Sequence, residues 1–221
     1  MSQPCVFNEG VMTKITTLRA GRGRQRVNVF LDGKFAFSLE AEVAIKEGLQ
    51  VGQELSSSQI EALAKSDHLH RCLNAAVHYL SYRPRSESEI RERLQRRGFA
   101  NDSIEAVIAK LKEQGLVSDI AFAQFWKDNR ESFSPRSRWL TKLELRQKGV
   151  ASNIINQVVD EVDDADNAYR AALSKARSLP LSDYEGFRRR LSEYLKRRGF
   201  DYGVINNTVE RIWQERGNSS R

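Results

Sequence analysis

A six-residue pattern that occurs three times constrains this chain more than any other feature. Leu94-Gln95-Arg96-Arg97-Gly98-Phe99 returns as Leu145-Arg146-Gln147-Lys148-Gly149-Val150, and again as Leu195-Lys196-Arg197-Arg198-Gly199-Phe200. The glycines stand 51 and 50 residues apart, and the match continues past each of them. Six residues on are Ile104, Ile155 and Ile205; nine on, Val107, Val158 and Thr208. Ten on are Ile108, Val159 and Val209; thirteen on, Leu111, Val162 and Ile212. That spacing traces one face of an α-helix. The basic residues and glycine end a preceding helix, because cations suit its negative end and glycine accepts the left-handed turn. A β-branched residue at Gly149 should therefore cost about 1 kcal/mol or more. Ser86 and Ser137 stand where a side-chain oxygen can cap that helix's start. Upstream lie further apolar stretches: Leu73, Ala76, Val77 and Leu80; Phe122, Phe125 and Trp126; Leu173 and Ala176. Each unit thus reads as three helices, and tandem units of this size stack on their neighbours.

The front of the chain has a different period. Lys14 to Leu18 alternates polar and apolar residues. Arg26–Leu31 and Lys34–Leu39 flank Asp32-Gly33, a strong hairpin signal because both turn residues must accept positive φ. Val27, Val29 and Leu31 are expected on one face, with Phe35, Phe37 and Leu39 sharing a face of the partner strand. Gly21-Arg22-Gly23-Arg24 is expected to turn the first strand into the second, and a short helix to follow over 41–47. Helix resumes from Ser58. The expected fold is mostly α: three tandem three-helix repeats forming a curved, elongated solenoid, preceded by a small β-rich segment. The expected divisions are 1–66 for the hairpin-and-helix extension, then 67–118, 119–167 and 168–221 for the repeats.

Charge sharpens this division. The 221 residues carry 36 Lys and Arg against 29 Asp and Glu, a net of +7. The four segments hold +1, +2, −2 and +6 in order. Nearly all the excess is therefore in the last repeat, where Arg188, Arg189, Arg190, Lys196, Arg197 and Arg198 crowd one helix with only Glu193 between them. A local cluster is a better electrostatic footprint than a high overall isoelectric point. Arg190, Glu193 and Arg197 are expected to pair along one stripe, leaving Arg189 and Lys196 to face outward. Arg83, Arg85, Arg136 and Arg138 flank the turns between first and second helices, with Trp139 nearby. They can grip a phosphate or stack on a base. Ordinary loop charge beside a core tryptophan fits the same residues. The acidic run Asp160–Asp166 reads as a solvated linker start that would repel DNA.

Direct chemistry finds little support. His68, His70, Cys72 and His78 do not converge as four ligands on a helix, so no metal or other cofactor is expected. Gly21-Arg22-Gly23 lacks the third glycine of a dinucleotide loop, and there is no Walker loop, His-Glu-x-x-His or nucleophile elbow. No enzyme activity is expected and no catalytic residue is named. Two cysteines make no disulfide framework, no apolar run reaches membrane-spanning length, and no secretory leader is visible. A cytoplasmic monomer is the expectation.

The triplicated motif at fifty-residue spacing resembles the RecX regulatory family, modulators of the RecA recombinase. Gly115-Leu116-Val117-Ser118-Asp119 with Phe122-Ala123, and Ser134-Pro135-Arg136-Ser137 leading into Leu143–Val150, strengthen the likeness, which spans about 67–215. Phe133-Ser134 stands where family members often have glycine before the proline, and Trp139-Leu140 where isoleucine is common. The resemblance implies a partner, the RecA filament on single-stranded DNA. It implies inhibition of ATP hydrolysis, co-protease action and strand exchange in DNA repair and recombination. The candidate contacts are Arg188, Arg189, Arg190, Lys196 and Arg197 of the third repeat, with Arg85, Arg136 and Arg138. Charge alone implies no more than weak electrostatic DNA binding. A direct DNA-binding helical regulator and a non-catalytic scaffold with a basic face stand as rivals.

Overall fold

The structure is a computed structural model and describes residues 12–21 and 25–218. The expected turn at Arg22-Gly23-Arg24 lies outside the described residues. The front end is a four-stranded antiparallel sheet: β1 (Thr13–Ala20), β2 (Arg26–Leu31), β3 (Lys34–Glu40) and β4 (Glu54–Leu55), in the order β3-β2-β1-β4. Asp32 and Gly33 both take positive φ, 49° and 79°, as the Asp-Gly hairpin requires. Helix α1 (Ala41–Lys46) follows the sheet. Ser56 then caps α2 (Ser57–Leu80): its hydroxyl accepts from the Gln59 amide while Gln59 Oε1 accepts from the Ser56 amide.

One expectation about the sheet fails. Val29 pairs with Phe37, but Phe30 pairs with Phe35, so Ala36 is an extra residue in β3. That bulge turns Phe35 onto the face of Phe30, where the rings meet edge-on at 5.9 Å and Phe35 is left exposed. The core is instead Ile15, Val29, Leu31, Leu39 and Leu55 against Ile60 and Leu63 of α2. The short strand β4 supplies Leu55 and was not visible as a period, because two residues show no alternation.

Eight helices follow α2: α3 (Glu87–Arg96), α4 (Asn101–Glu113), α5 (Asp119–Phe133), α6 (Arg138–Gln147), α7 (Ser152–Val159), α8 (Asp164–Ala176), α9 (Tyr184–Arg197) and α10 (Tyr202–Asn218). The fold is thus mostly helical behind a small β-rich front, with three helices in each repeat. By packing, the chain forms two compact units: 1–82 with 94–109, and 83–93 with 110–221. Helix α2 runs unbroken through position 66. Leu94, Leu145 and Leu195 are fully buried, and the positions six, nine, ten and thirteen residues past each glycine are buried with them; of the residues directly after the glycines, Val150 and Phe200 are buried and Phe99 is half-buried. The first helices use their small residues for the core. Cys72, Ala76, Ala123 and Ala172 are buried, whereas Val77 and Leu173, expected inside, are exposed. Small side chains let helix backbones approach closely. Phe122 to Val162 form one core and Ala168 to Ile212 another, so the second and third repeats each bury their own centre.

Within the second compact unit, each repeat turn docks on the start of the preceding second helix. Ser86 Oγ donates to the Lys148 carbonyl at 2.6 Å and accepts from the Glu89 amide at 3.1 Å. One repeat later, the Ser137 amide donates to the Arg198 carbonyl at 3.0 Å, and its hydroxyl accepts from the Leu140 amide. Gly149 and Gly199 sit at these docking points with φ of 75° and 83°. A Cβ on Gly149 would meet Ser88 Cβ and lie 2.5 Å from its Oγ; on Gly199 it would lie 2.6 Å from Ser137 Oγ and 2.8 Å from Leu140 Cβ. Aspartates complete the joint. Asp119 Oδ1 accepts from the Glu87 amide at 2.9 Å, and Asp164 Oδ1 from the Arg138 amide at 2.6 Å. Burial raises the pKa of both carboxyls, outweighing the amide bond that lowers it. The acidic run is therefore more than a solvated linker: Asp163 caps α8, Asp164 closes the joint, and Asp160 pairs with Lys142 at 2.7 Å.

Candidate functional site

The basic cluster of the third repeat lies on α9, whose start is capped by Asp183 through the Glu185 and Gly186 amides. Phe187, Leu191 and Leu195 bury one stripe of that helix. Its cations divide between two other stripes. Arg188, Arg189 and Lys196 line an open groove of about 470 Å³ floored by Ile205 of α10 and edged by Tyr202, which is 73% exposed. Arg197 and Arg198 line a second, more polar cleft of about 320 Å³ with Ser134, Arg136 and Tyr194. The expected stripe of Arg190, Glu193 and Arg197 does not close as ion pairs. Glu193 instead lines the groove of Arg189 and Lys196, and Arg188 lies 3.7 Å from Glu185. Arg189, Arg190, Lys196 and Arg197 are exposed.

The loop arginines are more heavily engaged. Arg138 donates through Nε and Nη2 to the Val162 carbonyl at 3.2 and 2.8 Å, so it ties the start of α6 to the link between α7 and α8. Arg85 is half-buried and engaged within the protein. Arg83 grips Glu89 with both Nη atoms, at 2.8 and 3.1 Å, and Lys148 reaches the same carboxylate at 2.8 Å. These two cations hold the Glu89 carboxyl below the ordinary glutamate range, against its burial. Arg136 pairs with Glu144, a nearly buried carboxylate that also accepts from Arg130 Nε and Trp126 Nε1, both at 2.8 Å. Trp126 is the tryptophan at the heart of this network, with Arg130, Lys148 and Arg83 at 4.6, 5.2 and 5.8 Å from its ring. Trp139, read as a core residue in one of the sequence interpretations, is 62% exposed.

Glu144, Tyr194 and Ser134 were missed as site residues. Glu144 stands five residues before Gly149 and Tyr194 five before Gly199, so the repeat register itself marked this position. The histidines and Cys72 go to separate surroundings. His68 meets Phe99 edge-on, and His70 lies between Glu40 and Glu42 at 2.7 and 3.0 Å. Cys72 is buried, which pushes its thiol up to about 11 and keeps it protonated. Among the described residues, no group of three or more His, Cys, Asp and Glu side chains is placed to hold a metal ion, and no helix is long and apolar enough to cross a membrane.

Two family models match this chain: the regulatory protein RecX N-terminal domain over residues 13–56, and the first three-helix domain of RecX over 72–111. They fall on the β-rich front and on the first repeat. A regulatory protein RecX from Clostridium botulinum (strain Eklund 17B / Type B) is 31% identical over 206 residues, across 90% of this chain and 96% of its own. The chain belongs to the RecX family. Another relative of that name, from Clostridium perfringens (strain 13 / Type A), is 30% identical over 91% of this chain and 97% of its own length. Among solved structures, a crystal structure of regulatory protein RecX matches with a TM-score of 0.65 and 27% identity, covering 90% of this chain and 99% of the other. That of RecX from Lactobacillus salivarius matches in fold, with a TM-score of 0.56 over 66% of this chain and 97% of the other. The front sheet, which lies outside the span 67–215 on which the sequence motifs rest, is thus as much a part of the RecX likeness as the first repeat.

Proposed function

We propose that this RecX-family chain binds RecA and its nucleoprotein filament on single-stranded DNA. There it acts as a non-enzymatic, cytoplasmic inhibitor of ATP hydrolysis, co-protease action and strand exchange. It works as a monomer whose repeats are 67–118, 119–167 and 168–221 behind the 1–66 extension. Family membership supports the partner, and one observation supports the contact. Arg188, Arg189 and Lys196 stand together over an apolar floor at Ile205, with Tyr202 at the edge. Cations around an apolar seat suit an acidic protein surface that offers an apolar anchor. Arg189 and Lys196 are exposed, so they can be changed without disturbing a core.

The test is a double charge reversal, Arg189→Glu with Lys196→Glu, assayed by co-sedimentation with RecA filaments. Association should weaken at least tenfold while helicity stays unchanged. Association equal to that of the unmodified protein would remove this groove from the interface. A direct DNA-binding regulator predicts something else: retention of one duplex sequence over others at physiological salt, with no need of RecA.

A further inference from the structure

The second cleft is built differently from the groove on α9's other side. Its lining residues are Ser134, Arg136, Tyr194, Arg197 and Arg198. We propose that it seats a backbone phosphate of single-stranded nucleic acid, with the exposed aromatic rings beside it receiving the adjoining bases. This deepens the filament reading by assigning the DNA strand, as distinct from RecA, to the seam between the second and third repeats.

The cleft is held ready from behind. Arg198 Nη1 donates to Ser134 Oγ at 2.9 Å and to the Pro135 carbonyl at 3.0 Å, and its guanidinium lies 4.5 Å from the centre of the Tyr194 ring. A serine hydroxyl that accepts from an arginine keeps its own proton to give to an anion. Arg136 is fixed by Glu144, whose other oxygen is already occupied by Arg130 and Trp126. Arg197 is exposed and has no intramolecular partner among the described residues. Arg136, Arg197 and Arg198 of the lining, with Arg130 paired to the same carboxylate as Arg136, thus set four guanidinium groups about the cleft and Glu144. Burial first, and then the charges of Arg130 and Arg198, weaken Arg136's hold on its proton. A second anion would relieve that crowding, and arginine's planar fork matches a phosphate's paired oxygens.

The rings decide which phosphate. Phe133 is 81% exposed and adjoins Ser134 in the chain. Trp139 is exposed too, and its Cε3 lies 3.2 Å from where a Cβ on Gly199 would sit, beside Arg198 in the chain. Exposed rings on Phe133, the chain neighbour of Ser134, and on Trp139, which lies against Gly199, suit unpaired bases, whose faces are free to stack. Duplex bases are already stacked on one another. An acidic protein segment would satisfy the arginines without using the rings.

The experiment measures binding of a fluorescently labelled oligothymidylate by anisotropy, without RecA, over a series of salt concentrations. Arg197→Ala should weaken binding about five- to tenfold, and should flatten the plot of log affinity against log salt by about 0.7, the loss of one phosphate contact on a single strand. Phe133→Ala should weaken it about fivefold or more with the salt slope unchanged. Lys46→Ala on α1 removes the same charge far from the cleft in sequence and serves as the control. The proposal is overturned if Arg197→Ala and Lys46→Ala behave alike. It is also overturned if polyglutamate displaces the oligonucleotide equally well and with the same dependence on Arg197, since the cleft would then take an acidic protein segment. Because RecA is absent, loss of filament inhibition with intact oligonucleotide binding counts only against the filament reading, and the reverse only against this one.

Discussion

Glu144→Ala should destabilise the second compact unit by about 3–5 kcal/mol, the cost typical of removing one partner from a buried ion pair. The carboxylate is 9% exposed and accepts from three donors: Arg130, Arg136 and the Trp126 indole. Alanine leaves two half-buried guanidinium groups, at 22% and 30% exposure, facing each other with no anion between them. Burial, and after it the charge of Arg130, already lowers the pKa of Arg136. The loss also frees the α5–α6 loop, so the cleft at Arg136 should open along with the unit. Chemical denaturation followed by tryptophan fluorescence would measure it, because Trp126 reports on the same carboxylate. A loss below about 1 kcal/mol would mean that the carboxylate is no more than a surface partner.

Gly149→Val should cost about 3 kcal/mol or more, well beyond the same change at Gly98. Both glycines have a left-handed φ, 75° and 83°, so each variant carries a similar strain of about 1–2 kcal/mol. Their surroundings differ. Nothing lies within 4 Å of a Cβ built on Gly98, whereas one on Gly149 runs into Ser88. Overpacking of this kind typically adds about 1–3 kcal/mol, and here it pries the second repeat's turn from the start of α3. Parallel melts of the two variants make the comparison. Equal losses would show that the glycine is needed for its turn alone and that the docking contact contributes nothing.

The sequence alone made the repeats legible because their signal is long and periodic. The leucines before each glycine and the apolar positions six to thirteen residues after it are buried as their spacing required. Local rules failed where one residue changed the phase. Ala36 as an extra residue in β3 moved Phe35 to the other face, which no alternation pattern announces. The first helices were read in part: Ala76 and Ala176 are buried as expected, but Cys72 and Ala172 take the places in the core that Val77 and Leu173 were expected to fill. The basic cluster was found as a cluster, and its division was half visible. Arg189 and Lys196 are seven residues apart and share a face, whereas Arg197 turns to another. The cleft itself was out of reach, since Ser134 and Arg198 meet across 64 residues of chain. Of the loop arginines, Arg138 was named for a ligand and binds the Val162 carbonyl, because a carbonyl in the link between α7 and α8 is a near acceptor that no helix ladder uses.

The most direct measurement is the ATP hydrolysis rate of RecA on single-stranded DNA as this chain is added. Inhibition that is complete near stoichiometric ratios, and relieved by Arg189→Glu with Lys196→Glu, is the predicted result. A rate that stays unchanged with the folded protein in excess would contradict the proposed function outright.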